Sequence, residues 1–413
     1  MIKISDKTMC TGCSACYSIC PKSAIEMKTD EEGFQYPEIV GSKCIECNLC
    51  SKVCPQIEPF VALHNSTNKY AIQSTDEQLR ALSTAGGFFS VLADYVISDC
   101  NGVVFGAGFD GVDIVHKGTE HKDDIPDMCG SKYVQSYLGD VFSHINDLLS
   151  QGRCCLFVGT PCQVNGLKKL VQNNKNEHLL ITTDLICYGV SSPGIYKKWI
   201  NFLQKKYKDN VRRVVFRDKS YGYSAPNTRI YFQERKHIEQ NYDSKSMLRM
   251  FFAGYNMRPS CYDCEFRSLV RASDFTIGDF HSVGDQVPGF DDELGTTAVW
   301  VHSEYGKEIF ELLKQKIRWE PVESGLSSSI SGSNKILKIP KNREEFFLDV
   351  KNCTYEQLTS KWVKNNLKSR IVNLVKPVIN KLPLKKHVFK LVKKYKQKKY
   401  EKRVRKANEG GHS

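Results

Sequence analysis

The chain has 413 residues, of which 41% are hydrophobic, so it is long enough for two or three domains with sizeable cores. No stretch approaches the ~18 apolar residues of a membrane span, and the N-terminus "MIKISDKTMC" lacks the apolar region of a secretory signal. Seventeen cysteines in such a chain argue against a disulfide scaffold. They favour metal binding or redox chemistry in a reducing cytosol.

The net charge of +13 is concentrated at the C-terminus. Residues 361–413 carry 18 Lys and Arg against 2 Glu, whereas residues 1–360 carry 41 basic against 44 acidic side chains. The body of the chain is therefore almost neutral, and its composition gives no sign of nucleic-acid binding.

Two cysteine runs open the chain, "CTGCSACYSICP" from Cys10 and "CIECNLCSKVCP" from Cys44. A cubane cluster needs four thiolates, and in two-cluster ferredoxins the fourth Cys of each run binds the other cluster. Zinc is the alternative, but zinc sites usually use separated pairs and do not need this run twice. The pattern predicts two [4Fe–4S] clusters, one on Cys10, Cys13, Cys16 and Cys54, and the other on Cys44, Cys47, Cys50 and Cys20.

The segment between the runs, "EMKTDEEGFQYPEIV", predicts two short strands around a Glu-Gly turn. Residues 1–60 are therefore expected to form a small α+β ferredoxin-like dicluster domain.

Residues 68–345 alternate between helical and strand-like patterns and predict an α/β domain. "STAGGFFSVLADYVI" has a Gly-rich entry and helical periodicity, and "GVVFGAGFD" is strand-like with a turn at Asp110-Gly111. "RCCLFVGT" is typical of a buried strand, followed by a loop, the helical "QVNGLKKLVQNN" and a strand in "HLLITTDLIC". These two strands should be parallel, with a right-handed crossover. "VRRVVFRD", "TRIYF" and "SDFTIGD" predict further strands.

Nine cysteines remain outside the two runs. Cys154 and Cys155 lie in an apolar strand and are expected in the core. The same structural role is expected of Cys100, Cys129 and Cys353, which lack any partner spacing.

Cys162 and Cys187 follow the ends of two predicted parallel strands, so both should lie at the carboxyl edge where α/β sheets bind ligands. The pair Cys261 and Cys264 in "SCYDCEF" would complete four thiolates there. The alternative is two buried cysteines and a separate zinc or disulfide pair.

Five motifs in residues 83–280 together resemble the family of coenzyme F-420 hydrogenase/dehydrogenase beta subunits. They are "STAGG", "GSKYVQS", "VGTPCQVNGL", "DLICYGVSSP" and "CYDCEFRSLVRASDFTIGDF". An N-terminal ferredoxin unit is a common partner of that domain. The resemblance implies bound FAD and a third [4Fe–4S] cluster on Cys162, Cys187, Cys261 and Cys264.

Two positions depart from the family pattern. Tyr188 stands in "ICYG" where the family has ICHG, and His281 stands in "GDFH" where the family has GDFW. The departures leave the use of a deazaflavin open. His281 could donate a proton near neutral pH, although a lone loop His more often packs as a polar group.

The candidate residues for binding the flavin are inferred from the anion-binding property of helix N-termini and from the family resemblance. Backbone N–H groups at a helix start favour phosphate, and a Gly-rich stretch precedes a predicted helix here. A simple helix cap and a solvent-facing Lys132 are the ordinary alternatives. The candidates are Thr84, Gly86, Gly87, Ser131, Lys132, Tyr133, Gly159 and Thr160.

The tail, residues 361–413, is expected to be short, basic, and helical or disordered. It could lie on an anionic membrane surface, bind nucleic acid or stay solvated. The first of these would place a cytoplasmic protein on the inner face of the membrane.

The sequence thus predicts an iron–sulfur flavoprotein oxidoreductase. It would pass electrons between a one-electron carrier such as a ferredoxin and a small organic hydride donor or acceptor. Two alternatives remain, a non-catalytic electron-relay subunit of a larger redox complex and an iron–sulfur protein that binds nucleic acid through its tail. No catalytic residue is singled out.

Overall fold

The computed structural model describes residues 2, 6–60, 67–322 and 337–363. Its N-terminal unit contains helices α1 (Ala15–Ser18) and α2 (Leu49–Lys52) and the antiparallel hairpin β1 (Ile25–Thr29) and β2 (Gln35–Ile39). The predicted strands around the Glu-Gly turn are confirmed. Each helix begins after a residue of positive φ at the equivalent repeat position, so the two runs share one local fold.

An eight-stranded sheet forms the centre of the larger unit, in the order β13-β3-β12-β11-β7-β6-β4-β5. Strands β4, β6, β7 and β11 run parallel to one another, whereas the pairs β4–β5, β11–β12, β12–β3 and β3–β13 are antiparallel. The predicted parallel pairing of the two central strands is confirmed. The bounds are β3 (Asn68–Ser74), β4 (Val103–Asp110), β5 (Asp113–Thr119), β6 (Cys155–Gly159), β7 (Leu180–Leu185), β11 (Phe275–Asp279), β12 (Thr297–Val301) and β13 (Ile317–Pro321).

A second, three-stranded sheet stands apart from this one. It consists of β8 (Val211–Asp218), β9 (Asn227–Phe232) and β10 (His237–Glu239), all antiparallel. Two of the strands expected in the larger unit therefore build a separate layer, which packs on the helices α8 (Pro193–Tyr207) and α9 (Tyr242–Phe252).

Helices cover both faces of the large sheet. The other α-helices in the described part of this unit are α3 (Glu77–Leu82), α4 (Phe88–Ser98), α5 (Ile125–Met128), α6 (Val141–Ser150), α7 (Pro161–Val171), α10 (Val283–Gln286), α11 (Glu304–Leu313), α12 (Arg343–Asn352) and α13 (Tyr355–Trp362). Helices α4 and α11 pack on one face, and α6 and α7 pack on the other. Residues of the N-terminal unit join that second core, so the unit rests on the α6–α7 face.

The loop expected after the strand in "RCCLFVGT" is absent, because α7 begins directly after β6 at Pro161. Pro is favoured in the first turn of a helix, where its missing N–H costs nothing. The side chain of Gln163 also accepts a hydrogen bond from the Thr160 N–H at 2.8 Å. These two features start the helix early and place Cys162 in its first turn.

The described chain ends in helices that pack on the core. Helix α12 spans position 345, and α13 continues to Trp362, followed by buried Val363. The lipid-binding and nucleic-acid-binding hypotheses for the tail fall on residues 364–413, outside the described residues. Within the described part of the chain, no helix is both long and apolar enough to cross a membrane.

Candidate metal and cofactor site

The four thiols predicted to bind the first cluster lie together in the structure. Cys13 and Cys16 lie beside Cys10 and Cys54, and burial raises the pKa of Cys13 to about 12, with further increases from Cys54 and Cys10. Burial and the same neighbours also raise the pKa of Cys16. Thiols gathered in this way are reluctant to ionise without a cation between them, which fits a cluster site.

The second predicted set lines a single cavity between the two cysteine runs. Backbone N–H groups point at two of its sulfurs, from Ala24 to Cys20 Sγ and from Ile2 to Cys50 Sγ, both at 3.3 Å. Such donors stabilise a reduced cluster. Cys47 is exposed, so this set faces solvent. The cysteines of the cavity are Cys20, Cys44, Cys47 and Cys50.

The third set comes from three separate parts of the α/β unit. Cys162 lies in the first turn of α7, Cys187 follows β7, and Cys261 and Cys264 lie in the short turns after Arg258. Burial raises the pKa of Cys187 to about 12, and Cys261 and Cys264 raise it further. Cys162 in turn lies beside Cys264 and Cys187. The structure thus brings the four together.

Two features hold the "CYDC" pair against the other thiols. A Cβ on Gly189, whose φ is +147°, would lie 3.2 Å from the Cβ of Cys261 and 2.2 Å from the Met257 Cε, so only glycine allows this approach. Buried Arg267 donates hydrogen bonds to the carbonyls of Tyr188 and Cys261 at 2.9 and 2.5 Å.

In the described residues, no group of three or more His, Cys, Asp or Glu side chains is placed to hold a single metal ion. A cubane binds each thiolate to a different iron atom, so its four ligands surround it without converging on one point. The three cysteine sets fit that kind of donor arrangement.

The remaining cysteines have structural surroundings. Cys155 is buried in β6, and Cys129 is buried beside Ser90, with 3.3 Å between its Sγ and the Ser90 Oγ. Cys353 lies at the end of α12 beside Asp349.

The surroundings of Cys154 and Cys100 differ from those expected from the sequence. Cys154 precedes β6 and is only partly buried, so it does not lie in the strand. Cys100, expected to have no partner, lies next to it, and burial together with Cys100 raises the pKa of Cys154 to about 12. A helix end brings them together, which the sequence spacing does not reveal.

The two stretches predicted to bind flavin phosphate meet in the structure. The Ser131 N–H donates to the Thr84 Oγ1 at 2.8 Å, and the two hydroxyl oxygens are 3.2 Å apart. Gly87, with φ of +90°, begins α4, and no side chain caps that helix start. The Gly86 N–H is already bonded to the Thr297 Oγ1 at 2.8 Å.

Lys132 does not face solvent as the ordinary alternative supposed. Its ammonium donates to the carbonyls of Asp127, Met128 and Cys129 at 2.9, 2.8 and 3.0 Å, and it lies 5.5 Å from the ring centroid of Phe109. All three N–H donors are used at the end of α5, so in this structure Lys132 offers none to a phosphate.

Tyr133 connects this region with the third thiol set. Its ring contacts Phe251 and Phe252, and Tyr188, next to Cys187, contacts the same two rings. Phe252 is 56% exposed and Tyr188 37% exposed, so the aromatic cluster opens to solvent beside the thiols.

Gly159 and Thr160 stand at the end of β6, as expected. The Thr160 Oγ1 lies 3.2 Å from the Cys162 Sγ, so this pair borders the third thiol set.

The "GDFH" motif forms a polar cluster with residues that the sequence did not indicate. Arg217 of β8 donates to Asp279 at 2.5 Å and lies 3.5 Å from the His281 Nε2, and Tyr223 stacks on His281 with centroids 5.2 Å apart. Burial and Arg217 lower the pKa of His281, while Asp279 raises it. Arg217 belongs to the separate sheet, and no local pattern links it to "GDFH".

Fold and site define an iron–sulfur protein in which a ferredoxin-type unit is joined to an α/β domain. Residues 9–56 match the model of the 4Fe-4S dicluster domain. Residues 152–324 match the model for the C terminus of the coenzyme F420 hydrogenase/dehydrogenase beta subunit. The predicted resemblance is confirmed: the chain is similar to the C-terminal region of that beta-subunit family, preceded by a match to a 4Fe-4S dicluster domain.

Two individual proteins and one solved structure are similar to this chain. The F(420)H(2) dehydrogenase of Methanosarcina mazei has a component, its F subunit, that is 22% identical over 365 residues, which are 84% of this chain and 94% of that protein. An uncharacterized ferredoxin of Methanocaldococcus jannaschii is 38% identical over 52 residues, 13% of this chain and 66% of the ferredoxin. A chain of the F420-reducing [NiFe] hydrogenase complex from Methanosarcina barkeri has a TM-score of 0.47 at 16% identity, covering 69% of this chain and 92% of that one.

Proposed function

We propose that the protein is an iron–sulfur flavoprotein oxidoreductase that passes electrons between a one-electron carrier and an organic hydride donor or acceptor. The observation that carries this proposal is the third set of thiols and its position. Helix α7 links the two sets, because Cys162 lies in its first turn and a Cβ on Gly166 would lie 3.0 Å from the Cys13 Sγ of the N-terminal unit. Three clusters in series would carry electrons from the exposed Cys47 side to the interior of the α/β unit.

FAD is the second part of the proposal. Thr84, Gly87 and Ser131 would hold its phosphates at the uncapped start of α4, and Tyr133 would border its ring system. A flavin can take up two electrons and release them singly, which joins hydride chemistry to clusters. Lys132 has no part in this arrangement, because its donors are used.

The polar cluster around "GDFH" is the proposed boundary of the organic substrate. Because the pKa of His281 is lowered, its imidazole is mostly neutral at pH 7. It would therefore accept a proton from the substrate more readily than donate one. Arg217 holds Asp279 by a charge-assisted hydrogen bond and fixes the cluster.

The relay alternative is also supported by a specific observation. The relative that matches 84% of this chain is named as one subunit of a dehydrogenase, so it works as part of an assembly. A relay subunit would use the same clusters but would pass its electrons to a partner chain.

Turnover by the purified chain separates the two proposals. Anaerobically purified protein is expected to release FAD on heat denaturation and to reoxidise reduced FAD with an organic acceptor when an artificial electron donor is supplied. Stoichiometric FAD without turnover would favour the relay role. A failure to bind FAD after reconstitution would contradict the flavoenzyme proposal.

A further inference from the structure

Arg258 lies between the ferredoxin-type unit and the α/β domain and is fully buried. Its Nε donates to the carbonyl of Cys10 at 2.8 Å, and its Nη2 donates to the carbonyl of Gln35 at 2.9 Å. Its Nη1 donates to the Gln135 Oε1 at 3.0 Å. One guanidinium therefore joins the first cysteine loop, the hairpin β1–β2 and the α/β domain.

The charge of Arg258 has no carboxylate partner among the residues that the structure describes. The guanidinium instead lies 4.3 Å from the ring centroid of Tyr36 and 5.4 Å from that of Phe34. A buried charge without a counter-charge is costly. The nearest candidate for a counter-charge is the Cys10 Sγ, 3.5 Å from Nη2, which would be a thiolate in a cluster.

The two cysteine runs differ where Arg258 packs. A Cβ on Gly12, whose φ is +69°, would lie 2.8 Å from the Arg258 Nη1 and 2.8 Å from the Gln135 Nε2. The equivalent residue of the second run is Glu46, which is exposed. The first loop is thus shaped around the guanidinium, and the second loop is open.

From this asymmetry we infer that Arg258 raises the reduction potential of the inner cluster, the one bound through Cys10, relative to the outer cluster of the Cys47 side. Reduction adds an electron, and a cation that donates to a ligand sulfur stabilises the added negative charge. The effect would favour electron flow inward from the exposed cluster. Arg258 also precedes the turn that carries Cys261, so the inner cluster is next to the third thiol set. The inference rests on the proposed ligand sets.

The test uses the full-length protein with reconstituted clusters and a redox titration followed by electron paramagnetic resonance. In Arg258→Met, the inner cluster is expected to have at least a tenfold lower ratio of reduced to oxidised form at fixed potential. That ratio corresponds to a fall of about 59 mV for a one-electron couple. The outer cluster should keep its potential. Arg258→Lys retains the charge but not the planar fork, so it should shift the inner cluster less, in the same direction.

Arg343→Met is the matched control. Arg343 is also largely buried and joins the same hairpin to the α/β domain, pairing with Glu32 at 2.6 and 2.5 Å and donating to the Met257 carbonyl at 2.9 Å. It contacts no cysteine sulfur in these interactions. Its loss should weaken the attachment of the hairpin and leave both potentials unchanged.

Three results would overturn the inference. They are an unchanged inner potential in Arg258→Met, an equal shift in Arg343→Met, and a downward shift in Arg258→Lys as large as that in Arg258→Met. If Arg258→Met loses the inner cluster, Arg258→Gln, which also removes the charge but keeps an N–H donor, takes its place in the titration. Because the titration needs only the clusters, it gives an answer even if the protein binds no flavin.

Discussion

At the scale of single residues, the third set of thiols can be tested through Cys261. Three cubane clusters use twelve thiolates, and loss of one ligand leaves the charge of the others buried and uncompensated. Cys261→Ser is therefore expected to lower bound iron from about twelve to about eight atoms per chain, at four per cluster. Iron and sulfide analysis after anaerobic reconstitution measures this directly.

Two other cysteines serve as controls for that experiment. Cys154 lies beside Cys100 and Cys353 beside Asp349, away from the predicted ligand sets, so Cys154→Ser and Cys353→Ser should retain full iron. A wild-type protein that saturates at about eight irons, or Cys261→Ser that retains about twelve, would mean that "CYDC" holds no third cluster.

The predictability of these residues depends on how far apart their partners lie in the chain. The eight N-terminal cysteines could be assigned by local spacing, whereas the third set required the order of parallel strands and the family resemblance. Arg258 and Arg217 could not be found, because their partners are 248 and 62 residues away. The solvent-facing alternative for Lys132 does not hold, because its ammonium donates to three backbone carbonyls that no sequence pattern indicates.

At the scale of elements, helix α7 packs on the large sheet and also contacts the first set of thiols in the N-terminal unit. Its first turn carries Cys162, and one turn later Gly166 packs on the N-terminal unit. The strands and the helical segment could be predicted from their periodicity. The start of the helix could not, because it depends on the contact between Gln163 and Thr160 rather than on the apolar pattern.

Gly166→Ala tests this double role. Replacing a glycine inside a helix by alanine ordinarily stabilises the helix by about 1 kcal/mol. Here the new Cβ would lie 3.0 Å from the Cys13 Sγ and 3.3 Å from the Ala15 Cβ, closer than the contact distance of about 3.5 to 4.0 Å. We expect a lower melting temperature and partial loss of iron from the inner cluster. A higher melting temperature with full iron would show that α7 does not press on the cysteine loop.

At the scale of the whole molecule, the three thiol sets differ in their exposure to solvent and in what they adjoin. The outer set is open at Cys47, the inner set is buried, and the third set adjoins the aromatic cluster of Tyr133 and Tyr188. The charge on the described part of the chain is nearly balanced, so the strong basic character belongs to the segment beyond it.

The helix α13 determines how the basic tail can be removed without damage. Trp362 donates a hydrogen bond from Nε1 to Asp349 at 2.7 Å, and Val363 is 4% exposed. A cut at Ser360 would remove both and open the core, whereas a cut after Val363 preserves them. Residues 364–413 still carry 17 Lys and Arg against 2 Glu, so the later cut removes almost all of the excess charge.

The chain ending at Val363 is therefore the appropriate comparison for the full-length protein in a lipid-binding test. Full-length protein is expected to sediment with vesicles that contain anionic lipid, and less so at high salt, because each Lys or Arg near the surface contributes about 1 kcal/mol that salt screens. The shortened chain should bind far less while keeping its iron content and melting temperature. Vesicles of purely zwitterionic lipid are the control, since they offer the same apolar interior without the charge.

Equal binding by the two chains would contradict the membrane hypothesis. Salt-sensitive binding to DNA but not to anionic vesicles would assign the tail to nucleic acid instead.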